Sequence, residues 1–208
     1  MKPVLFASLF AAALPAWSSR ANAQLSMPSM YVGYTYQRAN LFAPHGPIPI
    51  WFDTPGDLHG WDASVEQQFN EWFSLRLNVG RRRGTAAGVF GCELAPPGCT
   101  QTHVNVVNTQ RTVLLGPTLS AQSGSCRFFG QVLVGPASFD APAGGAGTMT
   151  FKSFGVQPGA GVEIAAGPIG LRVEGDMLRP GYRISASDRL GDGSETYAVL
   201  STGLVVRF

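Results

Sequence analysis

Charged residues are scarce in this chain of 208 residues. Asp, Glu, Lys and Arg together make up 13% of it, about half the share found in typical soluble domains. The formal net charge is +2, a balance that gives no support to binding of nucleic acid, which is recognised by a basic patch or stripe. We therefore expect no nucleic-acid partner.

Metal-ligand spacings are absent, and so are long apolar runs beyond the N-terminal region. The three cysteines and three histidines show no Cys-x-x-Cys or His-x-x-x-His spacing, so we expect neither a metal site nor a cofactor. After residue 23 no segment reaches the roughly 20 apolar residues that a membrane-spanning helix needs. Helical periodicity is missing there too, and the 26 glycines suit a β protein with tight turns.

The N-terminal region has the pattern of a secretory signal peptide. Lys2 gives a basic start, residues 4–17 are almost wholly apolar, and Ala21-Asn22-Ala23 forms a small-residue cleavage site. We expect residues 1–23 to be removed by cleavage between Ala23 and Gln24, which leaves a mature domain of residues 24–208. A membrane-spanning helix is the alternative, but polar residues end the apolar run too early for it.

Polarity alternates with a period of two along residues 197–208 (YAVLSTGLVVRF). Counting back by twos from Phe208 gives one mostly apolar face. Such alternation is typical of a β-strand whose two faces meet different environments. A terminal aromatic on an outward apolar face predicts the last strand of a bacterial outer-membrane β-barrel, with Phe208 at the barrel-closing terminus. The edge strand of a soluble sandwich is the alternative.

Seven more alternating segments precede this strand, and short connections between them take turns with long ones. The eight predicted strands cover residues 31–40, 60–69, 73–82, 104–119, 127–139, 153–166, 169–183 and 197–208. The even strand number, with short turns at one end and long loops at the other, predicts an all-β, eight-stranded antiparallel up-and-down transmembrane β-barrel. Both termini would then be periplasmic.

Charged residues of one parity are assigned to the inside of this barrel. The predicted lumen cluster consists of Glu66, Arg76, Arg111, Glu163, Arg172, Glu174 and Asp176. The assignment is weakest at Arg111, because placing it inside sends Asn108 and Gln110 outward. A packed set of ion pairs is expected, since eight strands leave room only for their own side chains. An ion path is the alternative.

Aromatic residues decide between this barrel and a soluble, lipocalin-like one, in which the two faces are reversed. They fall into two bands, with Phe69, Phe73, Phe128 and Phe208 beside the short turns and Tyr36, Trp61, Phe154 and Tyr182 near the long loops. Two aromatic bands separated by an apolar zone are what a bilayer selects. We therefore predict a location in the bacterial outer membrane, with its lipid as a partner.

Five segments carry a resemblance to a known family. They are the opening 31–40, the hairpin 60–82 with its FNEW turn, the VLLGP strand at 113–117, the run 172–183 and the ending 200–208. Together they resemble the small OmpA/OmpX-like outer-membrane β-barrel proteins. The resemblance is one of architecture and has no catalytic signature. It implies the fold and the location. We also expect the barrel assembly machinery as a partner.

The cysteines fall into two groups. Cys92 and Cys99 lie in one long loop on the oxidising side of the membrane, so we expect a disulfide between them. Two free loop thiols are the alternative. Cys126 lies beside a short turn, far from the other two, and is expected to be a buried small side chain or a free thiol.

Three consecutive arginines, Arg81, Arg82 and Arg83, end a predicted strand near the long loops. At that position they would meet the anionic outer leaflet, where arginine suits phosphate. The alternative is the solvated base of a loop.

No catalytic residue is identified. His45, His59 and His103 lie in or beside loops, and none has the serine neighbour that a local nucleophile and base pair would give. The favoured function is structural or adhesive, with an extracellular partner bound through loops 41–58 and 84–103. An outer-membrane lipid-modifying enzyme and a narrow pore are the alternatives.

Overall fold

The described residues form nine β-strands in one sheet. The computed structural model describes residues 28–39, 50–52, 56–90, 102–143, 147–181 and 196–208. The strands are β1 (Ser29–Ala39), β2 (Ile50–Phe52), β3 (Gly56–Gln68), β4 (Phe73–Phe90), β5 (Thr102–Ser123), β6 (Cys126–Ala143), β7 (Gly147–Ala166), β8 (Ile169–Pro180) and β9 (Tyr197–Arg207). No helix in these ranges is long and apolar enough to cross a membrane. The predicted signal peptide with its cleavage site and the pair Cys92 and Cys99 lie outside the described residues.

Eight of the strands close into a barrel. Each pairs with its neighbour in the chain, in the order β1-β3-β4-β5-β6-β7-β8-β9, and β9 returns to β1. All these pairings are antiparallel, and Gly33 lies opposite Gly203 at the closing seam. The short strand β2 extends the sheet at the far end of β4, with Ile50 opposite Phe90. The predicted eight-stranded antiparallel up-and-down barrel is confirmed.

Tight connections mark one end of the barrel, which we call the turn end. They join β3 to β4, β5 to β6 and β7 to β8. Gly124 (φ 61°) and Gly167 (φ 69°) supply the left-handed backbone of two of these turns. In the third, Asn70 Oδ1 accepts hydrogen bonds from the backbone N–H groups of Trp72 (3.0 Å) and Phe73 (2.7 Å). We call the opposite end the loop end.

Four strands extend far toward the loop end. The strands β4 to β7 have 18, 22, 18 and 20 residues, whereas about 9 to 11 tilted residues cross a bilayer. The predicted loop 84–103 is therefore wrong at both ends, because Gly84–Phe90 and Thr102–His103 continue β4 and β5. Loop 41–58 was likewise predicted too long, since it contains β2 and the start of β3. The extended parts are held by backbone hydrogen bonds between strands. They were missed because their residues do not alternate between apolar and polar.

Burial alternates along the strands, and the apolar face points outward. In β8 every second residue is buried, from Gly170 to Pro180. The large apolar side chains on the outer face include Val32, Leu115, Val132, Leu171 and Leu204. The buried face is mostly polar and lines the lumen. This polarity is the reverse of a soluble barrel with an apolar interior.

Candidate functional site

Buried ion pairs fill the lumen toward the turn end. Arg76 on β4 contacts Glu66 Oε2 at 3.0 Å and Glu174 Oε2 at 2.9 Å. Arg172 on β8 contacts Glu163 Oε2 at 2.7 Å and Glu66 Oε2 at 3.2 Å. Glu66 therefore joins the two arginines into one network. Because both arginines and all three carboxylates are buried, each charge depends on its partners for solvation.

Two further arginines that the sequence analysis did not place in the lumen belong to this network. Arg127 forms an ion pair with Glu66 and lies 3.8 Å from Glu163, and Arg207 forms an ion pair with Glu163. Arg207 lies on the less apolar face of the last strand when residues are counted by twos, so the sequence did indicate an inward position for it. Arg127 had no such signal, because apolar residues follow it on both faces of β6.

Aromatic rings lie against the two buried guanidinium groups of this network. The guanidinium carbons of Arg76 and Arg172 lie 4.7 Å and 5.0 Å from the centre of the Phe129 ring, and Arg172 lies 5.1 Å from the centre of the Tyr31 ring. Such contacts add cation–π attraction to the ion pairs. Gly161 makes room for Phe129, because a Cβ there would lie 2.5 Å from the ring.

A second group of polar side chains continues the lumen filling. Arg82 Nε donates to Thr35 Oγ1 at 3.2 Å, and Arg82 Nη1 donates to Gln110 Oε1 at 3.4 Å. Asn78 Nδ2 donates to Asp62 Oδ2 at 3.3 Å. All five side chains are buried. Of the three consecutive arginines in β4, the central one thus points inward.

Basic and acidic side chains are equal in number in the described part of the lumen. Among the described residues its side chains include Arg76, Arg82, Arg127, Arg172 and Arg207 against Asp62, Glu66, Glu163, Glu174 and Asp176. An apolar cluster of Leu114, Leu133, Leu178 and Val199 lies among these charges, with Tyr197 packed against it. On the turn side a polar pocket of about 160 Å³ is lined by residues that include Glu66, Arg127 and Arg207. Charged, polar and apolar side chains therefore fill the described part of the lumen together.

Arg111 does not join the cluster, and its predicted lumen position is wrong. Its side chain is 53% exposed on the outer face and contacts Asp140 Oδ2 at 3.0 Å, while Asn108 and Gln110 are each 1% exposed. Parity misleads here because β5 carries polar residues on both faces in this region. The structure places the other six predicted residues in the lumen: Glu66, Arg76, Glu163, Arg172, Glu174 and Asp176.

Outward aromatic residues lie near both ends of the apolar zone. Phe69, Trp72, Phe128 and Phe208 are exposed at the turn end, and Tyr34, Trp61 and Phe154 are exposed farther toward the loop end. The backbone N–H of Phe208 donates to the carbonyl of Pro28 at 3.2 Å, which holds the last residue against the start of β1. These positions fit the interfaces of a bilayer.

The remaining reactive side chains form no centre in the described residues. Cys126 is a half-buried free thiol at the turn end. A hydrogen bond joins His59 Nδ1 to the Tyr34 hydroxyl, and the His59 ring centre lies 5.3 Å from that of Tyr36. Within the described ranges no group of three or more His, Cys, Asp or Glu side chains could hold a metal ion.

The chain is similar to solved outer-membrane barrels. It matches Ail, the attachment invasion locus protein of Yersinia pestis in complex with the heparin analogue sucrose octasulfate, with a TM-score of 0.54 and 13% identity over 88% of this chain and 99% of Ail. Neisserial surface protein A gives a TM-score of 0.56 and 12% identity over 87% of this chain and 97% of the neisserial protein. OprG from Pseudomonas aeruginosa gives a TM-score of 0.56 and 11% identity over 88% of this chain and 96% of OprG.

No protein-family model and no curated protein sequence matches the chain. At these identities the structural likeness shows the fold alone. The closed antiparallel sheet, the apolar outer face and the polar lumen agree with it. The chain therefore has the fold of the small eight-stranded outer-membrane β-barrels.

Proposed function

We propose that this protein is a non-catalytic barrel of the bacterial outer membrane that acts as a rigid support for adhesion or binding at its loop end. The observation that carries the proposal is the contrast between a lumen filled by its own side chains and two hairpins that project far beyond the apolar zone. A filled lumen leaves little room for transport. The projecting hairpins offer a surface to a partner.

The outer face and the position of the aromatic residues support the location. Large apolar side chains would face hydrocarbon there, and the aromatic residues would lie at the two interfaces. The short turns and both ends of the described barrel lie at the turn end. In outer-membrane barrels short turns are periplasmic and longer connections extracellular. We therefore infer that the loop end is extracellular and that the barrel assembly machinery inserts the chain.

The hairpin of β4 and β5 supports a role in display. Its pairing continues without a break in register from Arg81 opposite Arg111 to Phe90 opposite Thr102. At about 3.4 Å per residue, this section spans roughly 30 Å along the strand. Attachment is the role named for the Yersinia pestis protein, and the projecting hairpin suits this chain to the same class of role.

The enzyme alternative gains no support from His59. A lipid-modifying serine enzyme would need a histidine on its nucleophile. Among the described side chains, His59 makes its hydrogen bond to the hydroxyl of Tyr34 and none to a serine.

Shortening the β4–β5 hairpin tests the display role. Because Thr85 and Val107 are opposite each other, joining them by an Asn-Gly turn should remove the projection and keep the barrel. The full chain and this variant would be expressed in a non-adherent laboratory bacterium, and attachment to epithelial monolayers counted. We expect attachment with the full chain and its loss in the variant, with equal amounts of heat-modifiable barrel. Equal attachment by both, or none by the full chain, would contradict the role.

Conductance separates this proposal from the narrow pore. The purified full chain in a planar lipid bilayer should give a baseline without regular current steps, because charged, polar and apolar side chains fill the lumen. Steps of uniform size at moderate voltage would instead favour the pore.

A further inference from the structure

A row of basic side chains crosses the outer face of the barrel. Arg81 of β4 lies opposite Arg111 of β5. The next two strands continue the row, because Arg111 lies opposite Ser138 of β6 and Ser138 lies opposite Lys152 of β7. Arg83 follows two residues after Arg81 on the same face. All four basic side chains are exposed. We call Arg81, Arg83, Arg111 and Lys152 the basic row.

The pair at the centre of the basic row is unfavourable on its own. Side chains directly opposite on antiparallel strands have their Cβ atoms about 4.5 to 5.5 Å apart, and like charges there destabilise the sheet. Arg111 is compensated by Asp140 at 3.0 Å. Within the described part of the chain Arg81, Arg83 and Lys152 have no ion-pair partner. The row therefore carries positive charge that an anion would compensate.

The basic row lies at the boundary of the apolar outer zone. One step toward the turn end, the outward partners on β4 and β5 are Val79 and Val113. Trp61, opposite Arg81 on β3, is 47% exposed, and Phe154, two residues after Lys152, is 62% exposed. Outward tryptophan and phenylalanine beside apolar residues mark the interface of a bilayer. The four cations are thus level with lipid headgroups when the apolar zone lies in hydrocarbon.

We propose that the basic row binds the phosphate groups of the anionic lipid of the outer leaflet, with Arg81 and Arg111 holding one phosphate between them. This inference rests on the outer-membrane location proposed above. Guanidinium groups bind phosphate through paired, charge-assisted hydrogen bonds, and a phosphate between two arginines turns their repulsion into a bridge. A lipid is the occupant because its acyl chains would cover the apolar side chains that adjoin the row.

The effect of Arg81→Ala on the melting temperature should depend on whether the membrane contains lipid A. The full chain would be folded into nanodiscs of phosphatidylcholine alone or of phosphatidylcholine with lipid A. In phosphatidylcholine alone, Arg81→Ala should leave the melting temperature unchanged or raise it, because the repulsion with Arg111 is removed. With lipid A, the same variant should melt below the unsubstituted chain. It should also need about ten times more lipid A for half-saturation.

A matched control removes an arginine from another part of the outer face. Arg38 is exposed on β1, two strands from Arg81 around the barrel, so Arg38→Ala should keep the lipid A affinity of the unsubstituted chain. Inorganic phosphate added to phosphatidylcholine nanodiscs should not raise the melting temperature.

Three results would overturn the proposal. They are an equal effect of Arg81→Ala in both membranes, an equal affinity loss in Arg38→Ala, and stabilisation by inorganic phosphate that matches lipid A. Failure of the unsubstituted chain to fold in either nanodisc would instead contradict the outer-membrane location, so the two failures are distinguishable.

Discussion

Arg76 and Glu174 form an ion pair of 2.9 Å inside the lumen, although 98 residues separate them in the chain. Their strands, β4 and β8, lie on opposite sides of the barrel and share no backbone pairing. The pair therefore crosses the lumen and connects two walls that the sheet does not connect directly. It also explains why the lumen is filled at this level, since two long side chains meet at its centre.

Removing one partner of this pair should destabilise the barrel strongly. In Arg76→Met, Glu174 loses its ion-pair partner in a buried site, which we expect to cost about 3 to 5 kcal/mol. The double variant Arg76→Met with Glu174→Gln should recover most of this loss, because Glu66 still contacts Arg127 and Arg172. Urea unfolding in lipid vesicles measures both. A double variant as unstable as the single one would show that the pair does not couple the two walls.

A charge on the outer face of β8 should impair insertion. Val173 points outward near the middle of this strand, 40% exposed and opposite Val162 and Thr202. Val173→Arg should lower stability by about 2 to 4 kcal/mol if the residue faces the centre of the bilayer. Val173→Leu is the matched control and should assemble normally. The folded fraction is measured on gels with and without boiling, and normal assembly of Val173→Arg would argue against a lipid-facing position.

A side chain at Gly203 should destabilise the seam between β1 and β9. A Cβ there would lie 2.2 Å from the carbonyl oxygen of Val32 and 2.4 Å from the Cα of Gly33. We expect Gly203→Ala to lower unfolding stability by about 1 to 3 kcal/mol through overpacking. Gly175→Ala is the control, because its Cβ would meet no atom within 4 Å. Equal unfolding midpoints in urea for the two variants would contradict the close approach at the seam.

The sequence predicts the fold best where a bilayer enforces alternation. Glu163, Arg172 and Glu174 stand between outward apolar neighbours, so the cost of placing a charge in hydrocarbon fixes their parity. Six members of the lumen cluster could be predicted in this way. Their ion-pair partners could not be predicted from the sequence. Glu66 and Arg172 are 106 residues apart in the chain, and parity contains no information about which side chains meet across the lumen.

The failures in the sequence analysis have two physical causes. Arg111 lies at the edge of the apolar zone, where polar residues are tolerated on both faces, so parity no longer distinguishes inside from outside. Arg127 is hidden for the opposite reason, because Phe129 and Leu133 place apolar groups on the lumen face and make both faces of β6 look alike. The strands β4 to β7 were predicted too short because their backbone pairing continues beyond the residues that alternate in polarity.

Spin labelling of the outer face in a bilayer tests the inside-outside assignment most directly. In a chain whose three cysteines are replaced by serine, single cysteines at Leu171, Val173, Gly175 and Met177 would each carry a nitroxide. All four positions are outward on β8. We predict that oxygen dissolved in the bilayer relaxes these labels strongly and that a water-soluble nickel complex does not reach Val173 and Gly175. Ready access of the nickel complex to all four labels would contradict a lipid-facing β8 and favour a soluble barrel.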